Sequence, residues 1–388
     1  MKSNKVNVYN GVHPVSANPM QLSTLSGYYD TRKLTRILFS ILVIILLLAV
    51  LAIAFLTKKT NDENTSIIEG LNLETTSKEQ LIPSVIINTN TKWKQNAITV
   101  AGGNGWGSKS NQLNYPSGIY VDDDDHNIYI ADTWNHRIVR WEFGGNNGGI
   151  VAGGNGQGSA IHQLNHPKDV ILDKDKKNIV ICDHGNFRVI QWSLQNSHDQ
   201  QILIYPILCW GLAIDNNGDL YISDWRKHQV KRWKQGDKEG TVVAGGNEKG
   251  NRFNQLDQPT SIFVDEYHSV YIADYMNNRV MKWIKNATEG ILVAPGQDAD
   301  KNPNSLIHPI GMIVDHIGNI YMSDVRNSQI TRWSPGTIEG VPVVGEKKDE
   351  SKPMEISYLY DLSFDRQGNL YVVDTGNDRI QKFIIDLD

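Results

Sequence analysis

The chain of 388 residues is long enough to bury a large core, and its 40% hydrophobic content excludes a wholly disordered protein. Residues 91–388 carry 30 lysines and arginines against 37 aspartates and glutamates; this acidic balance disfavours phosphate backbones, so no nucleic-acid partner is expected. The sequence has two cysteines, Cys182 and Cys209, too few for a RING finger or another structural zinc module.

An apolar segment of twenty residues, 37–56, reads ILFSILVIILLLAVLAIAFL and contains no charged side chain. At about 1.5 Å per residue it would extend roughly 30 Å, the thickness of the hydrocarbon core, so the sequence predicts a single transmembrane helix. A signal peptide is disfavoured because 36 residues precede the segment and no small-residue cleavage site follows it. Residues 1–36 are predicted to be a disordered tail and residues 57–92 a flexible stalk.

The charges that flank this segment predict its orientation. Three basic residues at positions 32–36 precede it, and two, Lys58 and Lys59, follow it. The positive-inside bias therefore predicts a cytoplasmic N-terminus and an extracellular or lumenal location for the rest of the chain. The Asn-x-Ser/Thr sequons, which begin at Asn64 and Asn286, both follow the segment and are possible glycosylation sites.

The rest of the sequence repeats. Six segments align around an aspartate, at positions 132, 183, 224, 274, 324 and 374. Spacings of 51, 41, 50, 50 and 50 residues, with short β-branched runs, predict an all-β propeller of six four-stranded blades over residues 93–388. In the first repeat, strands a to d are predicted at Ser117–Asp122, Ile128–Ala131, Arg137–Trp141 and Gly149–Ala152. The last repeat lacks a strand d, and an orphan strand, Ala97–Gly102, precedes the first, so we expect the orphan to complete the last blade.

Three recurring motifs resemble those of the NHL-repeat family. They are Ala-Gly-Gly-Asn after strand d, Asn-Gln-Leu-x-x-Pro before strand a, and Asp-x-x-Asn-x-Arg-[Ile/Val] between strands b and c. Departures occur at Lys227, Gln229 and Gln329, and repeat three is ten residues short. The resemblance implies a non-catalytic recognition platform, since NHL propellers bind proteins or RNA, and the acidic balance favours a protein or peptide ligand. Recognition of substrates for a separate ubiquitin ligase is an alternative.

The chain also resembles, more distantly, the lyase domain of the peptide-amidating enzymes, a propeller that holds zinc on three histidines. This resemblance makes a peptidyl-hydroxyglycine amidating lyase the enzymatic alternative. In that family a metal histidine follows the proline before strand a. Here the corresponding positions are Ser117, Lys168, Thr260 and Ile310. His166 and His308 precede their prolines instead, so we expect no metal, no cofactor and no catalytic residues.

The b–c turns and d–a loops emerge on one rim of a propeller, and here they carry large side chains where turns prefer small polar ones. The candidate ligand-binding residues are Trp106, Trp134, His136, His184, Trp225, Arg226, Tyr275 and Arg326. Aromatic and arginine side chains are typical interface anchors. The alternative is that the rings fold back over the blade edges. The Asp and Arg that recur in the b–c turns are interpreted as scaffold, and the aromatic residue that ends each strand c as core.

Two further features leave alternatives open. Cys182 and Cys209 are predicted to lie toward the same rim of adjacent blades, so they form either a disulfide, if their Cα atoms approach within about 7 Å, or two buried thiols. The acidic run 122–125 is interpreted as a solvated a–b turn rather than a calcium site, since consecutive carboxylates point in different directions.

Overall fold

The structure is a computed structural model, and it describes residues 87–196, 198–296, 306–325, 328–345 and 356–387. The predicted tail, the predicted span at 37–56 and the predicted stalk as far as residue 86 lie outside these residues, as do Asn64 and Arg326. Within the described part of the chain, no helix is long and apolar enough to cross a membrane.

The strands of the described residues form six antiparallel four-stranded sheets, which confirms the predicted all-β propeller. Strands a to d of blades 1 and 2 are Pro116–Asp122, Asn127–Asp132, Arg137–Glu142 and Gly148–Gly153, then Asp169–Leu172, Asn178–Asp183, Arg188–Ser193 and Gln200–Ile204. Those of blades 3 and 4 are Cys209–Ile214, Leu220–Asp224, Gln229–Trp233 and Thr241–Gly245, then Pro259–Val264, Val270–Asp274, Arg279–Trp283 and Ile291–Ala294. Those of blades 5 and 6 are Met312–Val314, Ile320–Asp324, Gln329–Trp333 and Val341–Val344, then Leu359–Phe364, Leu370–Asp374, Arg379–Phe383 and Ile98–Gly102.

Strand a of each blade contacts strand a of the next, and strand a of blade 6 contacts that of blade 1. The six inner strands therefore surround a central channel. In four blades a single 3-10 turn leads from strand b to strand c. These turns are Thr133–Asn135, His184–Asn186, Tyr275–Asn277 and Thr375–Asn377.

The ring closes as the sequence predicted. Ile98–Gly102 pairs antiparallel with Arg379–Phe383, so the orphan strand is the outer strand of blade 6. A second pairing, of Lys92–Trp93 with Ile385–Asp386, joins the same two parts of the chain. Because both ends of the folded region share one blade, that blade has no unpaired strand c.

The propeller includes residues 87–92, which the sequence assigned to the stalk. Ile87 and Trp93 are 3% and 2% exposed. The Trp93 indole N–H donates to the carbonyl of Gly368 (2.8 Å), in the a–b turn of blade 6, and its ring stacks on Phe364 at 5.9 Å. These contacts pack the incoming chain against the rim opposite the b–c turns.

The aromatic residues that end strand c form the core between blades, as predicted. At most 3% of the surface of each is exposed for Trp141, Trp192, Trp283, Trp333 and Phe383. Trp141 of blade 1 packs with Tyr371 and Val373 of blade 6. Trp233 is half-buried and is the exception.

The Asp, Asn and Arg of the b–c turn form a buried network. Asp132 Oδ2 accepts hydrogen bonds from Arg137 Nε (2.7 Å) and Asn135 Nδ2 (2.8 Å). The guanidinium also donates to the carbonyls of Ser108 (2.7 Å) and Gln112 (2.9 Å), in the loop that leads into blade 1. The same carboxylate–arginine pair recurs at Asp183, Asp274 and Asp374. The motif is scaffold, since it fixes the preceding d–a loop to the blade.

The junction of blades 2 and 3 is built differently. Its d–a loop is 205–208, against 103–115 before blade 1, so repeat three is short here. Such a loop has few carbonyls for an arginine to bind, and Gln229 stands where blade 1 has the arginine. Cys182 and Cys209 form a disulfide across this junction, with their Cα atoms 5.7 Å apart. A covalent link thus occurs where the hydrogen-bonded loop network is missing.

The acidic run 122–125 is more than a solvated turn. Lys176 of blade 2 and Arg366 of blade 6 both pair with Asp124. The backbone N–H of Arg366 donates to Asp123 Oδ2 (2.7 Å). The hydrogen bond from Lys176 holds the pKa of Asp124 below its ordinary value. The run therefore links blade 1 to both neighbours on the a–b rim.

Candidate functional site

The neck of the central channel is formed by one position of strand a in each blade. From blade 1 to blade 6 this position holds Gly118, Asp169, Gly211, Ser261, Gly311 and Asp361. Glycine thus alternates with a larger residue. A Cβ atom on any of the three glycines would lie between 2.2 and 2.7 Å from a backbone oxygen of the next blade. Glycine is required at these positions because the next inner strand approaches too closely for a side chain.

Two carboxyl groups occupy the neck. Asp169 Oδ2 accepts the backbone N–H of Leu212 in blade 3 (2.7 Å), and Asp361 Oδ2 accepts that of Ile119 in blade 1 (3.0 Å). Burial raises the pKa of Asp361 to about 7. Burial, followed by the neighbouring charge of Asp361, also raises the pKa of Asp169 well above its ordinary value. At neutral pH the pair therefore carries less than its two formal negative charges.

Lys168 directly precedes strand a of blade 2. Its ammonium is 4.9 Å from the ring centroid of Trp210 and 5.2 Å from that of Tyr360. Burial lowers the pKa of Lys168 to about 8. Lys168, Trp210 and Tyr360 line a cavity of about 20 Å³ together with the carboxyl pair, and this cavity has room for roughly one water molecule. The lysine therefore lies where the neck meets the aromatic residues of strand a.

Aromatic side chains surround Lys168. The rings of Trp210 and Tyr360 lie nearly parallel with centroids 6.5 Å apart, and Trp225 stacks on Trp210 at 6.3 Å. Tyr115 meets Tyr360 edge-on at 5.7 Å, and Trp134 contacts Tyr115 at 5.5 Å. We call this set the aromatic mouth: Tyr115, Trp134, Trp210, Trp225 and Tyr360. It joins blades 1, 3 and 6 around a lysine from blade 2.

Three of the predicted binding residues lie in or against the mouth. Trp134 is 58% exposed although it contacts Tyr115, so its ring neither stands free nor folds fully onto a blade edge. Trp225 is half-buried against Trp210. His184 packs edge-on against Trp210 at 5.6 Å, and its Nδ1 donates to the carbonyl of Cys209 (2.7 Å). Their binding role stays a prediction.

His136 has a structural role, and its ligand-binding role stays a prediction. Its Nδ1 accepts the backbone N–H of His166 in the next blade (3.2 Å). His136 has a left-handed backbone conformation at the end of its b–c turn. Residues at the same position of other b–c turns also accept a backbone N–H of the next blade through a side-chain atom. The acceptors His228, Asn278 and Asp378 pair with the N–H groups of Gln258, His308 and Tyr115. A side-chain acceptor at this position therefore fastens one blade to the next.

The remaining candidates are spread over the same turns and loops. Tyr275 stacks on His308 with centroids 4.7 Å apart. Trp106 is 75% exposed in the loop 103–115, and Arg226 is exposed next to Trp225. Arg326 lies outside the described residues.

Sequence reasoning missed the centre of the mouth. Lys168, Trp210 and Tyr360 all occupy the position after the proline, or its equivalent, at the start of strand a. The resemblance to the amidating lyases concerns only metal-binding histidines at that position, and none of these three residues is a histidine. The signal was present, because this position varies in character from blade to blade while its neighbours repeat. Within the described ranges, no group of three or more His, Cys, Asp or Glu residues is placed to hold a metal ion.

The fold defines the chain as a six-bladed β-propeller, and a family model matches two of its blades. The model described as NHL repeat matches residues 113–141 and 208–233, which contain strands a to c of blades 1 and 3. Blade 3 matches in spite of its departures at Lys227 and Gln229. These matches cover parts of two of the six blades and agree with the resemblance of the sequence motifs to NHL repeats. Among curated proteins, none matches it by sequence.

Solved structures of low sequence identity share the fold. A protein of unknown function from Bacteroides thetaiotaomicron is 18% identical, with a TM-score of 0.58 over 76% of this chain and 77% of the other. An auxiliary nutrient binding protein from the same species is 14% identical, with a TM-score of 0.58 over 74% and 76%. A gluconolactonase from Xanthomonas campestris is 12% identical, with a TM-score of 0.53 over 78% and 99%. At these identities the likeness concerns the fold alone.

Proposed function

We propose that this chain is a membrane-tethered recognition propeller that binds a protein or peptide ligand at the aromatic mouth and has no catalytic activity of its own. In this proposal residues 37–56 are the anchor, the N-terminus is cytoplasmic and the propeller is extracellular or lumenal. The family supports the general class, since NHL propellers commonly act as protein-interaction scaffolds.

The aromatic mouth is the observation that carries the proposal. Aromatic side chains bury large areas on binding at a low cost in side-chain entropy, and they dominate the energy of many interfaces. Here they are adjacent, they come from three blades, and Trp134 leaves more than half of its surface in water. The acidic balance of residues 91–388 favours a protein or peptide over a nucleic acid as the ligand.

The tether is compatible with a free mouth. Ile87 and Trp93 pack at the a–b rim of blade 6, so the chain enters the propeller on the rim opposite the mouth. Asn286 is exposed in the c–d turn of blade 4, also on that opposite rim. A glycan on Asn286 would therefore leave the mouth uncovered.

Peptide selection tests the binding role. Peptides are selected from a displayed random library for binding to the wild-type protein. Their affinities for the wild type and for Trp225→Ala are then compared. We expect this variant to weaken the selected peptides at least about tenfold, because it removes a stacked anchor worth 1.4 kcal/mol or more.

Tyr267→Ala is the matched control. Tyr267 is an aromatic residue 72% exposed in the a–b turn of blade 4, on the opposite rim, so its loss should leave the affinity unchanged. Equal binding of the selected peptides to wild type and to Trp225→Ala would contradict a ligand site at the mouth.

Two alternatives have different requirements. An enzyme of the amidating-lyase type draws support from the perturbed carboxyl pair in the neck, since such groups cluster at functional sites. It requires a metal set, and the positions used by that family hold no histidine here. A substrate-recognition role for a separate ubiquitin ligase requires a cytoplasmic propeller. Protease added to intact cells separates that role from our proposal, which expects digestion of the propeller and protection of residues 1–36.

A further inference from the structure

Among the residues that the structure describes, the ammonium of Lys168 has no anionic partner. Its contacts among the described residues are the faces of Trp210 and Tyr360, and no carboxylate there forms an ion pair with it. Ammonium groups are strongly hydrated, and burying one beside two rings without an acceptor is costly unless a ligand supplies the acceptor.

The two carboxyl groups that line the same cavity as Lys168 are engaged elsewhere. Asp169 accepts the N–H groups of Val170 and Leu212, both at 2.7 Å, and Asp361 accepts that of Ile119 at 3.0 Å. The raised pKa values of both acids further weaken their pull on the lysine. The contacts of the Lys168 ammonium are therefore with the rings of the mouth, and it forms no ion pair with either carboxyl group of the neck.

We propose that the aromatic mouth recognises a carboxylate group of its peptide ligand through the ammonium of Lys168, with Trp210 and Tyr360 packing against the apolar part of the same residue. This inference rests on the proposed function and specifies the ligand. A single lysine matches the single charge of a carboxylate. The cavity that Lys168 shares with the carboxyl pair, of about 20 Å³, is too small to hold a larger ligand group. The apolar side chain of Ile310 completes the wall.

A carboxylate has two sources in a peptide, the C-terminus and an acidic side chain. Three synthetic probes distinguish them. These are acetyl-Gly-Gly-Leu with a free C-terminus, the same peptide with a C-terminal amide, and acetyl-Gly-Glu-Gly-Leu amide. The fragment of residues 80–388 is suitable because it forms one compact unit and contains every strand of the closed ring. The indole N–H signal of Trp210 in NMR spectra reports on the site.

Lys168→Met removes the charge and keeps most of the apolar stem. Lys231→Met is the matched control, since Lys231 also lies over a tryptophan, Trp233, at 5.3 Å, but on strand c of blade 3. We expect at least one carboxylate probe to shift the Trp210 signal with about tenfold higher affinity than the amide. Lys168→Met should abolish this preference, and Lys231→Met should retain it. The melting temperatures of both variants establish that they are folded.

The possible results separate this inference from the proposed function. A shift by the free C-terminus alone, or by the glutamate probe alone, supports the inference and assigns the source of the carboxylate. Equal shifts by all three peptides, retained in Lys168→Met, overturn the carboxylate inference while leaving a peptide-binding mouth. If none of the three probes shifts the indole N–H signal of Trp210, the carboxylate inference is also overturned. The proposed function is then judged separately by the selected peptides and the Trp225→Ala variant.

Discussion

His136 accepts a backbone N–H of the next blade through Nδ1, and this bond requires an uncharged imidazole. Asn278 makes the same contact in blade 4 with an amide oxygen that does not titrate in the physiological range. Residues at equivalent positions of different blade junctions therefore differ in their response to pH, although they make the same contact. Protonation would replace the acceptor by a second N–H and set two donors against each other.

We predict that His136→Asn reduces the loss of stability on acidification. Burial lowers the pKa of His136 below its ordinary value of about 6.5. Because the folded pKa lies below the unfolded one, the contribution of this group is present above about pH 6.5 and is lost as the pH falls through the folded value. The melting temperature, measured from pH 7.5 to 5, should fall less in the variant, by the equivalent of about 1 kcal/mol for one hydrogen bond.

His162→Asn is the control for this prediction, since His162 is exposed in the d–a loop before blade 2. It should melt with the pH dependence of the wild type. Some dependence should persist in His136→Asn, because burial also lowers the pKa values of His166 and His184. An unchanged slope in His136→Asn would refute the junction mechanism.

At the scale of elements, the b–c turn and the preceding d–a loop form one unit. Arg137 is buried, pairs with Asp132, and holds two carbonyls of the loop 103–115. Blade 3 has both a four-residue loop, 205–208, and Gln229 in place of the arginine. In blade 3 the two departures from the repeat pattern thus occur together, whereas Gln329 of blade 5 replaces the arginine after a long d–a connection, 295–311.

We predict that Arg137→Gln destabilises the propeller by about 3 kcal/mol, since it leaves a buried carboxylate without its cation and frees the loop. The free energy of unfolding in urea measures the effect. The reverse substitution, Gln229→Arg, should give no gain, because the short loop of blade 3 offers no matching carbonyls. Equal effects of the two changes, or a loss below about 1 kcal/mol in Arg137→Gln, would show that the loop does not depend on the arginine.

At the scale of the whole molecule, the ring is held closed by two pairings between the N-terminal and C-terminal parts of the folded region. The outer strand Ile98–Gly102 completes blade 6, and Trp93 is buried against its a–b turn. Closure also brings Tyr360 and Asp361 of blade 6 next to blade 1. The candidate site therefore depends on the ring being closed.

We predict two steps of destabilisation as the N-terminus of the fragment is shortened. A fragment that begins at residue 96 loses the contacts of Ile87 and Trp93, which should cost about 3 kcal/mol, as for other buried tryptophans. A fragment that begins at residue 104 also loses the outer strand and exposes the edge of Arg379–Phe383, so it should melt lower still and aggregate. Melting temperature and soluble yield are compared with those of residues 80–388. If the three fragments melt alike, the closure does not stabilise the ring.

The sequence by itself determined the blades. The Asp-x-x-Asn-x-Arg turn, the aromatic residue that ends strand c, and the orphan strand could all be read from the repeat, because each acts within one blade or at one blade junction. Interactions of this kind are specified by residue type and spacing, and they recur about every 50 residues. The regularity also makes the departure at Gln229 visible in the sequence. That the d–a loop of the same blade, 205–208, has few carbonyls for an arginine is visible only in the structure.

The candidate site was decided by the tertiary structure. Lys168, Trp210 and Tyr360 belong to blades 2, 3 and 6 and have no mutual spacing in the sequence that would pair them. They meet because six inner strands converge on one channel and because glycines at Gly118, Gly211 and Gly311 let those strands approach closely. In the same way, the sequence predicts only that His136 lies in an exposed turn. Its hydrogen bond with the backbone N–H of His166 forms because the structure places the next blade against the ring. Such contacts depend on how far each blade is rotated around the ring, and that rotation is set by the packing of all six blades together.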